Sequence, residues 1–207
     1  MFKKVLTIFL LLWGIQIMVI ACCPDSKRFF NRITGVQANN YNIQNGQIED
    51  EIIAQEDYRI RLVISEETYT DNSFNPYFLV NAAYALDCED IFEGLEPDIV
   101  NFSITCDKTI LNTNAGQPID YENLNVYKIG LRNEASNRQR TVEEWLDIMN
   151  NGGFLLGFEW LFEFNQPINS EEELTFNIKI VQEDNTQFEI ETNPIRIEQG
   201  TTALQGP

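Results

Sequence analysis

The chain has 207 residues with 14 basic and 32 acidic side chains, so its net charge at neutral pH is −18, and it contains no histidine. This acidity argues against a nucleic-acid partner, because phosphate binding needs clustered lysine and arginine. The absence of histidine excludes Ser-His-Asp and Cys-His catalytic groups as well as histidine-based metal sites. We therefore expect no cofactor, no metal site and no nucleic-acid partner, and any chemistry would depend on carboxylates, tyrosine or lysine.

The first 21 residues have the layout of a secretory signal. Lys3 and Lys4 precede an uncharged apolar run from Val5 to Ile20, and a short positive region followed by such a run is typical of signal peptides. The run is also nearly long enough to cross a bilayer, so an uncleaved membrane anchor is the alternative interpretation. The residues at the end of the run favour cleavage.

These residues, Val19-Ile20-Ala21-Cys22, resemble the lipobox of bacterial lipoproteins. The resemblance implies that Cys22 receives a diacylglyceryl thioether and that the chain is cut after Ala21. A cysteine thiolate supplies the nucleophile for this modification, and two or three acyl chains hold a protein firmly on a membrane. We therefore predict a lipoprotein signal over residues 1–21. The mature protein would be attached by its lipid to the cell envelope, with the outer membrane favoured, and would face the periplasm or the exterior.

Three cysteines remain if Cys22 carries lipid, and all three would be in an oxidising compartment. A bridge between Cys88 and Cys106 would close a loop of about 19 residues and stabilise the fold by about 3 kcal/mol. We predict this bridge, with Cys23 to Cys88 as the alternative, because spacing alone does not fix the connectivity. No C-x-x-C motif occurs, so a metal or redox role for these thiols is not expected.

The body of the chain is predicted to be a tether over residues 22–31, one domain over 32–198 and a disordered tail over 199–207. In the first strand Ile33 lies out of the alternating phase of its apolar neighbours, and Gly35 suits a β-bulge. The other phase contains Phe30, Val36 and Ala38.

The next strand, DYRIRLVIS, alternates more regularly. Arg59 and Arg61 separate its apolar residues, so we expect both arginines in solvent and a sheet that is covered on one face only. The residues expected in the core are Tyr58, Ile60, Leu62 and Ile64. Further strand patterns occur at residues 78–84, 100–106 and 126–129, the second with Val100, Phe102, Ile104 and Cys106 in one phase. The first of these segments could also be helical at its small-residue end.

One segment has helical spacing. Thr141 and Glu144 form a capping box, and Gly152 provides a stop. The apolar face contains Val142, Trp145, Leu146 and Met149. We expect one short amphipathic helix packed on the sheets.

The last third of the chain has the strongest strand pattern. Asn185 suits a left-handed turn position, and Pro194 predicts an edge strand or one that changes sheets. The alternating apolar residues are Leu156, Phe158, Trp160, Phe162 and Phe164, then Leu174, Phe176, Ile178 and Ile180, then Phe188 and Ile190. About seven short strands with one helix predict a mainly β protein, an antiparallel, immunoglobulin-like β-sandwich.

The candidate chemical groups all have a simpler structural interpretation. Glu159 and Glu163 share one strand face but lie about 13 Å apart, too far for glycoside hydrolysis. Trp145, Trp160 and the tyrosines could stack on a sugar, but both tryptophans fall on predicted core faces. An acidic loop lacks the ligand order of a calcium site, so we expect it to be solvated. Its acids are Glu89, Asp90, Glu93, Glu96 and Asp98.

The lipobox, "AYALDC" and the stretch "FNQPINSEEELTFNIKIVQEDNTQFEIETNPIRI" together resemble uncharacterised lipoproteins of Bacteroidota. These relatives often have a second cysteine where this chain has Leu86. The resemblance implies a lipid-anchored β-domain facing the envelope and brings no activity with it. We expect a structural or interaction protein without enzymatic activity. The alternatives are a glycan- or peptide-binding module of an envelope complex and a carboxylate-based hydrolase.

Overall fold

The computed structural model describes residues 28–49, 51–70, 91–129, 138–151, 159–168 and 172–198. Their strands are β1 (Arg28–Asn42), β2 (Gln47–Ile48), β3 (Ile52–Ala54), β4 (Tyr58–Thr70), β5 (Ile91–Leu95), β6 (Ile99–Cys106), β7 (Leu124–Ile129), β8 (Glu159–Phe164), β9 (Phe176–Gln182), β10 (Gln187–Glu191) and β11 (Arg196–Glu198). The α-helix α1 covers Val142–Asn151, and single-turn 3₁₀ helices cover Gln55–Asp57 and Tyr121–Asn123.

Two main sheets pack against each other. The six-stranded sheet has the order β2-β1-β4-β8-β7, with β5 also paired to β1, and the three-stranded sheet has the order β10-β9-β6. Pairing is antiparallel in both, except that β5 runs parallel to β1. A separate parallel pair joins β3 to β11. The prediction of a mainly β, antiparallel β-sandwich with one short helix is confirmed.

Aromatic side chains from three elements meet in the core between the sheets. The Phe102 ring of β6 lies 5.1 Å from the Phe162 ring of β8 and 4.7 Å from the Trp145 ring of α1. Trp160 is also buried, so both tryptophans lie on core faces as their spacing predicts. Truncating a buried aromatic of this size to alanine typically costs about 3 to 5 kcal/mol. These contacts therefore join both sheets and the helix into one core.

The bulge predicted near Gly35 is present in β1. The register with β4 shifts between Ile33 and Gly35, and the extra residue reverses the phase of the strand. Ile33 before the bulge and Ala38 after it consequently share the core. The sequence pattern places Phe30 in the same phase as Val36 and Ala38. Phe30 nevertheless lies outside this core cluster, because it precedes the bulge. Its ring stacks on that of Tyr69, with the ring centroids 5.7 Å apart.

A second bulge changes the expected face of β6. Val100 was predicted to face the core, but it is 60% exposed, whereas Ile99 is buried. The register with β9 shifts between Ile99 and Asn101, so Val100 is the extra residue and points outward. Beyond the bulge, the prediction for Phe102 and Ile104 is confirmed, since both are buried.

The capping residue and the apolar face of α1 agree with the sequence. The N–H of Glu144 donates to Thr141 Oγ1 at 3.2 Å, which satisfies one of the first-turn amides. The C-terminal turn is held to β6 by Asn150, whose side chain accepts from the Ile99 N–H at 2.8 Å and donates to the Ile99 carbonyl at 3.0 Å. The buried residues of the helix are Val142, Trp145 and Met149.

The turn and the proline of the C-terminal third also match their predictions. Asn185 adopts a left-handed conformation with φ 68° in the turn between β9 and β10. After Pro194 the chain leaves the three-stranded sheet and forms β11, which pairs with β3. The prediction of a strand that changes sheets is confirmed.

Several predicted segments lie outside the described residues, namely the signal over 1–21, residues 22–27 of the tether, the strand at 78–84 and the tail over 199–207. β1 begins at Arg28, so the strand includes the last part of the predicted tether. Within the described ranges, no helix is both long enough and apolar enough to cross a bilayer.

Candidate functional site

Four charged side chains form an array on the face of the six-stranded sheet that points away from the core. Arg61 of β4 donates from Nε to Glu159 Oε2 of β8 at 2.8 Å, and its Nη2 donates to the second carboxylate oxygen. Arg59 donates from Nη2 to Glu163 Oε1 of the same strand. We call these four residues the arginine–glutamate array.

The alternation of two neighbouring strands produces this array. The antiparallel register of β4 and β8 places Arg61 opposite Leu161, so both arginines and both glutamates fall on one face. Arg59 is only 8% exposed, and the Arg61 guanidinium lies 5.7 Å from the centroid of the Tyr41 ring. The prediction that both arginines face open solvent is therefore wrong, because glutamates and an aromatic ring of neighbouring strands cover them.

The same face also buries apolar side chains, which contradicts the expectation of a sheet covered on one side only. The buried cluster consists of Tyr41, Ile129 and Leu161, with Tyr127 packed against it. Its burial removes water from around the neighbouring charges, which strengthens their pairing.

Tyr127 of β7 forms a hydrogen bond with the second carboxylate oxygen of Glu163. Its hydroxyl donates to Glu163 Oε2 at 2.7 Å. Burial, and then the hydrogen bond to Glu163, raises the pKa of Tyr127 to about 12, so the hydroxyl keeps its proton at neutral pH. Arg59 engages the other oxygen. A carboxylate held in this way is a poor nucleophile and a poor general base, because its charge is paired and its lone pairs are occupied.

Glu159 and Glu163 thus share one face of β8, as their spacing predicts, but each pairs with its own arginine. Their positions four residues apart on an extended strand separate them by about 13 Å. This is beyond the roughly 5 to 10 Å that two cooperating glycosidase carboxylates need. The array therefore joins β4 to β8 through two ion pairs.

Glu66 is the carboxyl group with the most perturbed environment. It follows Ile60, Leu62 and Ile64 in the core phase of β4 and lies opposite Ile33 of β1. Its Oε2 atom is shielded from solvent and has no hydrogen-bond partner among the described residues. Burial raises the pKa of Glu66 to about 7. Glu66 is not among the residues predicted from the sequence, although its position in the apolar alternation of β4 is a signal that points to it.

The acidic loop is described only in part. Glu96 and Asp98 are exposed, while Glu89, Asp90 and the side chain of Glu93 lie outside the described residues. No group of three or more side chains suited to a metal ion occurs within the described ranges.

The predicted sugar-stacking residues are packing residues in the structure. Trp145 and Trp160 are buried, and no aromatic side chain in the described part of the chain is classed as exposed. The most exposed large apolar side chains there are aliphatic, namely Ile43, Ile48, Ile52 and Val100. The two tryptophans are therefore not available to stack on a sugar.

Of the four cysteines, the structure describes Cys106. It is a buried free thiol, and burial is the main cause that raises its pKa to about 11. Cys22, Cys23 and Cys88 lie outside the described residues. The Cys88–Cys106 bridge and the lipidation of Cys22 therefore stay predictions. A thiol with this pKa is almost entirely protonated at neutral pH, which makes it a weak nucleophile.

The described domain is thus a β-sandwich. The arginine–glutamate array lies on one outer face, and the Glu66 carboxyl, whose pKa is raised by burial, lies on the core side. No family model, curated protein or solved structure matches the chain.

Proposed function

We propose that the protein is a lipid-anchored lipoprotein of the cell envelope, attached through Cys22, whose β-sandwich serves as a structural or interaction domain. The observation that carries the proposal is the sequence Val19-Ile20-Ala21-Cys22 directly behind an apolar run. Its likeness to a lipobox supports cleavage after Ala21 and acylation of the next cysteine. We favour the outer membrane, with the domain facing the periplasm or the exterior.

The start of the first strand supports a short connection to the membrane. Arg28 begins β1 and lies six residues after Cys22, a distance that an extended chain covers in about 20 Å. The end of the sheet near Phe30, Arg32 and Tyr69 would therefore lie closest to the lipid. In this cluster the Arg32 guanidinium lies 5.2 Å from the centroid of the Tyr69 ring.

Charge supports attachment by lipid and not by the protein surface. Loss of Lys3 and Lys4 with the signal would change the net charge from −18 to −20. Anionic headgroups would repel such a body. Firm attachment would then come from the acyl chains, each of which contributes binding through its buried methylenes.

Anchoring is tested by metabolic labelling with a fatty acid in cells that express the full chain. We expect label in the wild type and in Cys23→Ala, the matched control one residue away, and none in Cys22→Ala. The Cys22→Ala chain should also leave the membrane fraction or keep its signal. Label that persists in Cys22→Ala would contradict lipidation at this position.

The glycan-binding alternative would need an accessible aromatic platform, and the described aromatic side chains are buried or only partly exposed. The hydrolase alternative would need two free acids at catalytic separation, and Glu159 and Glu163 are each held by an arginine.

A further inference from the structure

The end of the six-stranded sheet that lies nearest the predicted lipid site contains a cluster of aromatic and basic side chains. Phe30 of β1 is paired with Tyr69 of β4, and their rings stack with the centroids 5.7 Å apart. The Arg32 guanidinium lies 5.2 Å from the centroid of the Tyr69 ring. We call these three residues the Phe30–Tyr69 cluster.

The Phe30–Tyr69 cluster lies on the outer face of the sheet. Asn31 and Ile33, which alternate with Phe30 and Arg32 along β1, are buried, so the cluster residues point away from the core. Arg32 is exposed, and both rings of the cluster are partly exposed. Aromatic surface and a cationic group are therefore accessible at this end of the sheet.

Positive charge is concentrated in the same part of the sequence. Residues 22–34 contain Lys27, Arg28 and Arg32 but only one acid, Asp25, so their net charge is +2. The predicted mature chain has a net charge of −20, and residues 35–207 therefore have a net charge of −22. The segment next to the predicted lipid site is thus basic, whereas the remainder of the chain is strongly acidic.

The predicted tether is short enough to keep the cluster near the bilayer. Arg28, the first residue of β1, lies six residues after Cys22, and an extended chain of that length spans at most about 20 Å. Phe30 and Tyr69 lie within about 7 Å of the adjacent strand ends. Tethering raises the local concentration of the cluster at the lipid surface, so weak contacts are enough to hold it there.

We propose that the Phe30–Tyr69 cluster is a membrane-contact site, through which the sandwich binds phospholipid headgroups of the bilayer that holds the Cys22 acyl chains. The inference rests on the proposed lipid anchor. Tyr69 suits the membrane interface because its ring is apolar and its hydroxyl is polar. Arg32 supplies several N–H donors for a headgroup phosphate. The sheet would then have this end toward the membrane and its Asn42–Tyr58 end away from it.

Acidic residues beside the cluster determine the kind of lipid. Glu67 is opposite Arg32 in the register and is exposed. Burial, and then the charge of Glu96, raises the pKa of Tyr69, so its hydroxyl keeps its proton. Because these carboxylates offset the charge of Arg32, the contact does not depend on anionic lipid. We therefore expect zwitterionic phospholipid to support it, through the aromatic rings and the phosphate.

The test uses the lipidated protein, purified from cells that express the full chain and reconstituted in phosphatidylcholine vesicles. A fraction of the lipid has a nitroxide on its headgroup, which quenches tryptophan fluorescence at short range. Phe30→Trp places a reporter in the cluster. Ile48→Trp, the matched control, places one at a site that is 47% exposed and lies opposite Tyr41, roughly 35 Å along β1 from Phe30.

Quenching of these two reporters distinguishes a docked end from a freely moving domain. The two tryptophans of the predicted mature chain, Trp145 and Trp160, are buried, and their signal is subtracted with the wild-type protein. We expect the nitroxide to quench Phe30→Trp at least about twofold more than Ile48→Trp, because only the cluster would reach the headgroups. Equal quenching of the two, or none at Phe30→Trp, would overturn the proposal.

Two charge reversals test the role of Arg32. Arg32→Glu and Lys108→Glu change the net charge equally, but Lys108 is exposed and follows Cys106, which lies near Tyr58 at the opposite end of the sandwich. With the Phe30→Trp reporter, Arg32→Glu should reduce the quenching by about half or more, and Lys108→Glu should leave it unchanged. Equal effects of the two substitutions would overturn the assignment of the phosphate contact to Arg32.

Mass spectrometry of the same preparation separates this inference from the proposed anchor. An acylated chain whose Phe30→Trp reporter is not quenched would refute the membrane contact and leave lipidation unaffected. A chain without acyl mass would refute the proposed anchor, and the membrane contact with it.

Discussion

Glu66→Gln should stabilise the protein above neutral pH and have little effect in mild acid. In the folded chain burial raises the pKa of Glu66 to about 7, against an ordinary value of 4.5. The folded state therefore binds this proton more tightly than the unfolded state, and stability falls as pH rises from about 4.5 to 7. Above that range, ionised Glu66 destabilises the folded state by a constant amount. Glutamine has a similar shape but no charge, so the variant lacks this destabilisation.

The magnitude follows from the two pKa values. Their difference of about 2.5 corresponds to about 3.4 kcal/mol at 1.36 kcal/mol for each factor of ten. Because part of the side chain contacts solvent, screening reduces this to about 1 to 2 kcal/mol. At pH 5 the group is protonated in the folded state and about three-quarters ionised in the unfolded state, so only about a quarter of the difference remains.

Urea unfolding of the full chain in nonionic detergent, followed by tryptophan fluorescence at pH 5 and pH 8, measures this effect. The matched control is Glu67→Gln, which removes the same charge from an exposed position next in the strand. We expect Glu66→Gln to raise the unfolding free energy at pH 8 by about 1 to 2 kcal/mol relative to that control. An equal gain at both pH values, or equal effects of the two substitutions, would refute desolvation of Glu66 as the cause.

Three further predictions concern packing, hydrogen bonding and thiol chemistry. Gly94→Ala should lower the unfolding free energy by about 3 kcal/mol or more, since the residue has φ +100° and the new Cβ would lie 2.2 Å from the Asn150 carbonyl oxygen. Gly116 also has a positive φ but nothing within 4 Å of a new Cβ. Gly116→Ala should therefore lower the unfolding free energy by only about 1 kcal/mol in the same urea assay. Tyr127→Phe should cost about 1 kcal/mol, because Glu163 loses a hydrogen bond, and a stability equal to wild type would contradict the bond. Cys106 should remain unlabelled by iodoacetamide in the folded chain, because it is buried. In urea, labelling without reductant would agree with the free thiol of the structure and contradict the predicted bridge to Cys88, whereas labelling only after reduction would support that bridge.

The two bulges show which part of the fold can be predicted from sequence. Gly35 marks the first, because glycine in a strand breaks the phase visibly and lacks a side chain to pack. The second contains no glycine. Ile99 and Val100 are both apolar and β-branched, so either could face the core, and the register with β9 decides the choice. Local alternation therefore predicts where strands occur. It predicts which side chains face the core only up to the next bulge that no glycine reveals in the sequence.

The arginine–glutamate array depends on contacts that local sequence does not contain. Arg61 and Glu159 are separated by 98 positions in the chain, and only the pairing of β4 with β8 brings them together. Each residue alone has the pattern of a solvated strand face. Glu66 is different, because the alternation of Ile60, Leu62 and Ile64 already placed it on the core side.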